Sequence, residues 1–314
     1  MAALLGIVLM LVCIEAAAWL IACSQLENGF RGFVRDAAQQ GWIAAFNLPA
    51  RSGFPFAAEL DVTQLAVTPD PSVFASGPTW STERLRLRVA LSRPSTLVLE
   101  PEGVQRVGLG APPIPITSRR LELAIRLDGA APPVATGTQL VAALPAGPVT
   151  IGAATLLFPP DVVIADLADI GLPRAPPVER LQARARLIQP FPRAPTPEAS
   201  ARAWRDAGGM VKVSDLALQW GPLAATGQAA LGLDAQLQPE GQGTLEVTGL
   251  APALDAMGRT GALPPGTVLA AKAVLALLAA PAHGGPVTLP FEIRAGVLIV
   301  ARFPLLRLPP LVWS

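Results

Sequence analysis

The sequence predicts a mainly β protein: an N-terminal transmembrane helix followed by a large curved antiparallel β-sheet with a few covering helices. Three observations carry this. Runs of alternating apolar and polar residues recur from Ala58 to the C-terminus. The chain holds 34 Pro and 28 Gly, which many short turns require. And Ala2 to Ala22 is almost unbroken apolar sequence.

The clearest alternation lies between Asp215 and Leu250. Leu216, Leu218 and Trp220 alternate with Ala217 and Gln219. After Gly221-Pro222, Leu231, Leu233, Ala235 and Leu237 alternate with Gly232, Asp234, Gln236 and Gln238. After Pro239-Glu240-Gly241, Leu245 and Val247 alternate with Thr244, Glu246 and Thr248. A period of two puts apolar side chains on one face and polar ones on the other. The breaks are turn chemistry, so this is an antiparallel meander with one dry face. Trp220, Leu231, Leu233, Leu245 and Val247 are its candidate ligand-facing residues.

The same period marks Ala58–Val67, Arg84–Leu91, Arg120–Leu127 and Arg180–Ile188, with shorter strands at Thr96–Leu99, Val104–Leu109 and Val149–Leu157. Pro290–Ala301 reads as the last strand. Helices are few. Thr196-Pro197-Glu198 starts one with an N-cap, Pro at N1 and an acid in the first turn. Gly208 closes it, and Trp204 is its anchor to the core. Ala251–Met257 is a short helical turn, Thr267–Ala280 a longer helix, and Phe303–Leu311 an apolar, proline-rich tail. With no low-complexity linker, residues 46–314 read as a single large β domain.

Ala2–Ala22 is about as long as a membrane-spanning helix needs to be. Residues 1–23 therefore read as a single-pass inner-membrane anchor, with the C-terminal domain in the periplasm. Residues 24–45 read as a juxtamembrane helix ending near Gly41. Glu15 is the one charge inside the apolar segment. No basic residue precedes it, while Arg31 and Arg35 follow, so the positive-inside rule gives no support to an N-in orientation. The alternative is a lipoprotein, because Leu20-Ile21-Ala22-Cys23 fits the box before an acylated cysteine.

Composition narrows the chemistry. Charged residues are 15% and hydrophobic ones 51%, with net charge +1. No global field recruits nucleic acid. The only cysteines are Cys13 and Cys23, so residues 24–314 hold no disulfide and no thiolate metal site. The single histidine, His283, sits in a Pro/Gly turn, and the sequence supplies it with no nucleophile. Asp161, Asp166 and Asp169 cluster, but read as polar loop or helix-face residues rather than a metal site. Gly108-Leu109-Gly110 and Gly241-Gln242-Gly243 read as turn glycines. No cofactor and no enzymatic activity are expected.

Arg84, Arg86 and Arg88 share one face of one strand, about 7 Å apart per step. They form either a solvated face with cross-strand acids such as Glu122, or a cationic stripe for lipid headgroups.

In order along the chain come an apolar helix ending at Gly41-Trp42, then Gly53-Phe54-Pro55-Phe56, Trp204, Gly208-Gly209, Leu216–Pro222, Gly227 and Gly241-Gln242-Gly243. Gly296 and Pro304-Leu305…Leu308-Pro309 close the series. This series resembles the uncharacterised proteobacterial envelope family known as domain of unknown function 2125, and more distantly the AsmA-like envelope proteins. That resemblance implies a groove-like sheet associated with lipid handling, and no established functional residues. The expected function is a non-enzymatic envelope protein presenting an apolar groove to phospholipid or a lipidated partner, with the inner membrane as its neighbour. The alternative is a periplasmic scaffold whose plugged sheet binds another envelope protein.

Overall fold

The computed structural model describes residues 2–314 except 74–76, 110–111, 146, 174–175, 193, 195, 260–265, 267–268, 270–285, 302, 309, 312 and 314. His283 and, apart from Leu269, the expected helix Thr267–Ala280 lie outside the described residues. The chain divides into two compact units, residues 1–137 and 138–314. The division falls inside a strand, Val134–Leu144, rather than in a linker. That is why no shift in composition marks it.

The first unit is built on a long hairpin, β3 (Ala57–Pro69) and β4 (Pro78–Ala90). β1 (Trp42–Ala45) and β2 (Ala50–Ser52) follow one another along the free edge of β3. β5 (Thr96–Glu102) and β6 (Gln105–Leu109) do the same along β4. β7 (Ile114–Thr117) and β8 (Arg120–Arg126) flank β6 and β5 in turn. Gly53 opens the turn into β3 at φ 90°, where an added Cβ would lie 2.6 Å from the Ala57 carbonyl. Only glycine fits there.

One helix, α1 (Ala2–Gln39), covers this unit. Cys23, Leu26 and Phe30, at three-to-four spacing, are buried. Leu26 and Phe30 pack with Leu60, Val62, Leu65, Leu85 and Leu87. Trp19 donates its indole N–H to the Ala57 carbonyl at 2.9 Å and meets the Phe54 ring edge-on. Glu27 accepts from Arg51 at 2.6 Å, which ties the helix to β2.

These contacts correct the expected membrane topology. Among the described residues no helix is long and apolar enough to cross a membrane, so the single-pass anchor is not supported. Physically, α1 is continuous through the expected boundary at residue 23, and one stripe of it, Trp19, Cys23, Leu26 and Phe30, is committed to protein packing. Residues 24–45 are not all helical either, since α1 ends at Gln39 and 42–45 form β1. The lipoprotein alternative fares no better: Cys23 is 1% exposed, and a diacylglyceryl group needs its sulfur at the surface.

The second unit is a meander in which each strand pairs with the next. Its strands are β10 (Gly147–Leu157), β11 (Val162–Gly171), β12 (Val178–Leu187), β13 (Val211–Trp220), β14 (Leu223–Leu233) and β15 (Pro239–Thr248). β16 (Val287–Arg294), β17 (Val297–Val300) and β18 (Phe303–Arg307) complete it. The single strand expected over 290–301 is thus a hairpin. Ala295 and Gly296 both take positive φ, 49° and 71°, the pair a two-residue reversal requires. Leu237, expected in a strand, lies in a loop at φ 58°, where Asp234 Oδ1 accepts from the backbone N–H of Gln236 and Gln238. Asp166 and Asp169, expected in a loop or helix, belong to strand β11.

α2 (Pro197–Asp206) starts as its sequence requires: the Thr196 hydroxyl accepts from the Ala199 N–H at 3.1 Å. Trp204 is 5% exposed and donates to the Gln189 carbonyl at 2.9 Å. α3 (Leu250–Arg259) follows β15. Replacing Trp204 by Ala removes a buried ring and a hydrogen bond, and is expected to cost about 3–5 kcal/mol in chemical denaturation. Thr196→Ala, losing only the cap, is expected to cost about 1 kcal/mol.

Candidate ligand-binding face

Directly opposed residues in an antiparallel pair share a face. Leu181, Leu218, Ala225, Val247 and Val287 form one such row across β12 to β16. Leu187, Val211, Leu231, Gly241 and Ile293 form another, six residues further along β14. Leu216, Gly227, Leu245 and Leu289 lie between them. Trp220 opposes Leu223 and Leu233 opposes Pro239 in the same phase. The register therefore brings all five sequence-predicted positions, Trp220, Leu231, Leu233, Leu245 and Val247, onto one face.

Their burial differs along that face. At one end α3 seats on the sheet: Ala225, Val247, Val287 and Leu289 are buried, with Leu250 of α3 packed against them. Trp220, Leu231, Leu233 and Leu245 are only half-buried. Leu187 and Val163, in the same phase on β12 and β11, are 37% and 40% exposed. Trp220 also donates its indole N–H to the Pro176 carbonyl at 3.0 Å.

Gly241 and Gly243 lie in β15, not in a turn as expected. A Cβ on Gly243 would fall 2.5 Å from the Phe291 ring, so that ring lies over the bare backbone. Val287 and Leu289 lie before the strand expected from Pro290, although Val287, Leu289, Phe291 and Ile293 alternate strictly. The strand starts three residues earlier than expected, at Val287.

In the first unit Arg84, Arg86 and Arg88 lie on one face of β4, and each has a carboxylate partner. Arg84 and Arg86 reach Glu102 at 3.4 and 3.1 Å, Arg86 also reaches Asp61 at 3.1 Å, and Arg88 reaches Glu59 at 3.3 Å. The solvated face with cross-strand acids describes this arrangement, with partners on β3 and β5. Glu122 pairs with Arg120 instead. It also stands beside Glu100. Burial, then the hydrogen bond and charge of Glu122, push the Glu100 carboxyl above its ordinary value, against Arg88 and Arg86. In β11 the Asp166 carboxyl is held below the ordinary range by the Arg180 guanidinium at 2.6 Å. That commits Asp166 to the β11–β12 pairing rather than to a metal.

A family model described as an uncharacterized protein conserved in bacteria (DUF2125) matches residues 19–309. The chain belongs to the DUF2125 family. The match begins at Trp19, inside α1, and runs through β18, so it covers most of both units of this DUF2125 protein. No curated protein and no solved structure matches the chain.

Val247→Asp is expected to destabilise by several kcal/mol, because it buries a carboxyl without a partner. Glu246→Lys, on the opposite face, should stay within about 0.5 kcal/mol; equal losses in urea melts would refute the register. Glu100 has a folded pKa above its unfolded one, so its contribution to stability is complete below the unfolded value and is lost as pH rises through the folded value. Glu100→Gln is therefore expected to melt higher than wild type at pH 7, with the difference vanishing near pH 4.

Proposed function

We propose that this protein binds acyl chains, of a phospholipid or a lipidated protein, on the apolar face of its second unit, by non-covalent contact and without catalysing a reaction. The observation that carries this is the gradient of cover along that face. The rows through Val247 are closed by α3. The rows through Leu231 and Leu233 present half-buried leucines, continuing to exposed Leu187 and Val163. Apolar side chains left partly in water across several strands gain about 25 cal/mol for each Å² that a hydrocarbon covers. An AsmA-like groove is the finer form of this proposal.

Arg84, Arg86 and Arg88 have no part in it, since carboxylates already offset their charge. A scaffold role is the second reading, favoured by the way α3 plugs the face at Ala225 and Val247.

The test is purification of the full chain followed by mass spectrometry of extracted lipid. Co-purified phospholipid is expected, falling severalfold when Leu231 and Leu233 are both changed to Gln with the circular dichroism unchanged. A protein free of lipid, and unable to take up phospholipid from vesicles, would leave the scaffold reading.

A further inference from the structure

The opposite face of the same strands carries a cleft, bordered at the end of β14 by Leu233. Lys212, Ala230, Gln242 and Glu292 form a row across β13 to β16, in opposite phase to Leu231. Gln228 and Thr244 form the next row, and Gly232 opposes Glu240. A cleft of about 710 Å³ runs over Ala230 and Gly232, between Arg205 and Met210 on one side and Glu292 and Arg294 on the other. A second, of about 560 Å³, shares Ala230 and Gln242 with it and continues to Lys212 and Thr244. Both fall in the size range of small-molecule sites, roughly 300–1,000 Å³.

Gly232 is the informative residue. Its neighbours Gly241 and Gly243 are dictated by the fold, since a Cβ there would lie 2.1 and 2.3 Å from backbone carbonyls. At Gly232 the nearest atom to an added Cβ is the Gly209 carbonyl oxygen at 3.6 Å, an ordinary contact, and its φ is not in the left-handed region. The fold would accept a side chain. A glycine inside a strand weakens the strand; at position 232 it leaves the backbone open to a molecule lying in the cleft.

The lining chemistry narrows the ligand. Arg205 is committed to Asp206 and to the Asp234 and Ala235 carbonyls, and Arg294 to Glu292. Among the described residues, the exposed side chains of Lys212, Gln228, Glu240, Gln242 and Thr244 make no hydrogen bond or ion pair within the chain. That set is one cation, one anion, two amides and a hydroxyl. Its charges cancel, so neither a phosphate nor a cation is drawn in by field. Amides and hydroxyls both donate and accept, which is what a polyol presents in return.

The geometry points to a neutral saccharide chain lying along the Ala230–Gly232 floor, held by Gln242, Gln228 and Thr244. This does not rest on acyl-chain binding, and its test leaves Leu233, which borders the cleft, unchanged. The test is calorimetric titration of the full chain with maltohexaose, cellohexaose and chitohexaose. At least one is expected to bind. Gly232→Leu, which fills the floor, should weaken it by at least about tenfold. Gln242→Ala should weaken it by about two- to tenfold, the worth of one hydrogen bond. Gln219→Ala, outside the cleft on β13, should leave it unchanged. Should Gly232→Leu fail to fold by circular dichroism, Gln242→Ala and Thr244→Ala, both at exposed positions, decide instead. Failure of all three sugars to bind wild type at millimolar concentration, or an affinity indifferent to the folded cleft variants, would overturn the assignment.

Discussion

In an antiparallel ladder, side chains directly across from one another stand on the same side of the sheet. From β12 to β16 this constraint lines up rows of apolar residues on one side and rows of amides, hydroxyls and charges on the other. Holding the phase over that many strands needs correction where strands twist. Asp215, at φ 52°, sits in the register shift between Val213 and Leu216, and β12 shifts between Gln182 and Arg184. Arg184 and Asp215 then pair across the irregularity at 3.0 Å. The two shifts together keep Leu181 opposite Leu218 below them and Leu187 opposite Val211 above.

Small residues decide what each face can do. On the apolar side Gly227, Gly241 and Gly243 let backbones and the Phe291 ring approach closely. On the polar side Ala230 and Gly232 leave a floor between longer side chains. The same strands thus present hydrocarbon to one side and hydrogen-bonding groups to the other. A ligand on either would be read by different physics: area removed from water in one case, matched donors and acceptors in the other.

The first unit solves a separate problem, the covering of a two-stranded core. β3 and β4 each carry two short strands in series on the outer edge, and α1 closes the apolar side through Leu26 and Phe30. Its outer face is a charge lattice in which Arg86 is shared between Asp61 and Glu102. Such partly exposed pairs add little to stability individually. What they do is satisfy cations and carboxylates that the alternation forces side by side, while Glu100 and Glu122 remain a like-charge contact that Arg88, Arg86 and Arg120 only partly offset.

The sequence by itself determined what is local. Period-two alternation located most of the strands, and Thr196, Pro197 and Gly208 bounded α2, because pleat and capping act within a few residues. It also put Trp220, Leu231, Leu233, Leu245 and Val247 in one phase. Only the tertiary structure decided what depends on partners distant in the chain. The acids facing Arg84, Arg86 and Arg88 are set by β3 and β5 register, which spacing along β4 does not contain. The short strands β1, β2 and β7 exist because an edge of a longer strand accepts them, not because three or four residues carry a period. Hydropathy described Ala2–Ala22 as a membrane span. Yet Trp19 and Cys23 face protein, since a helix's apolar stripe is satisfied equally by lipid or by a sheet, and sequence alone does not distinguish the two solvents.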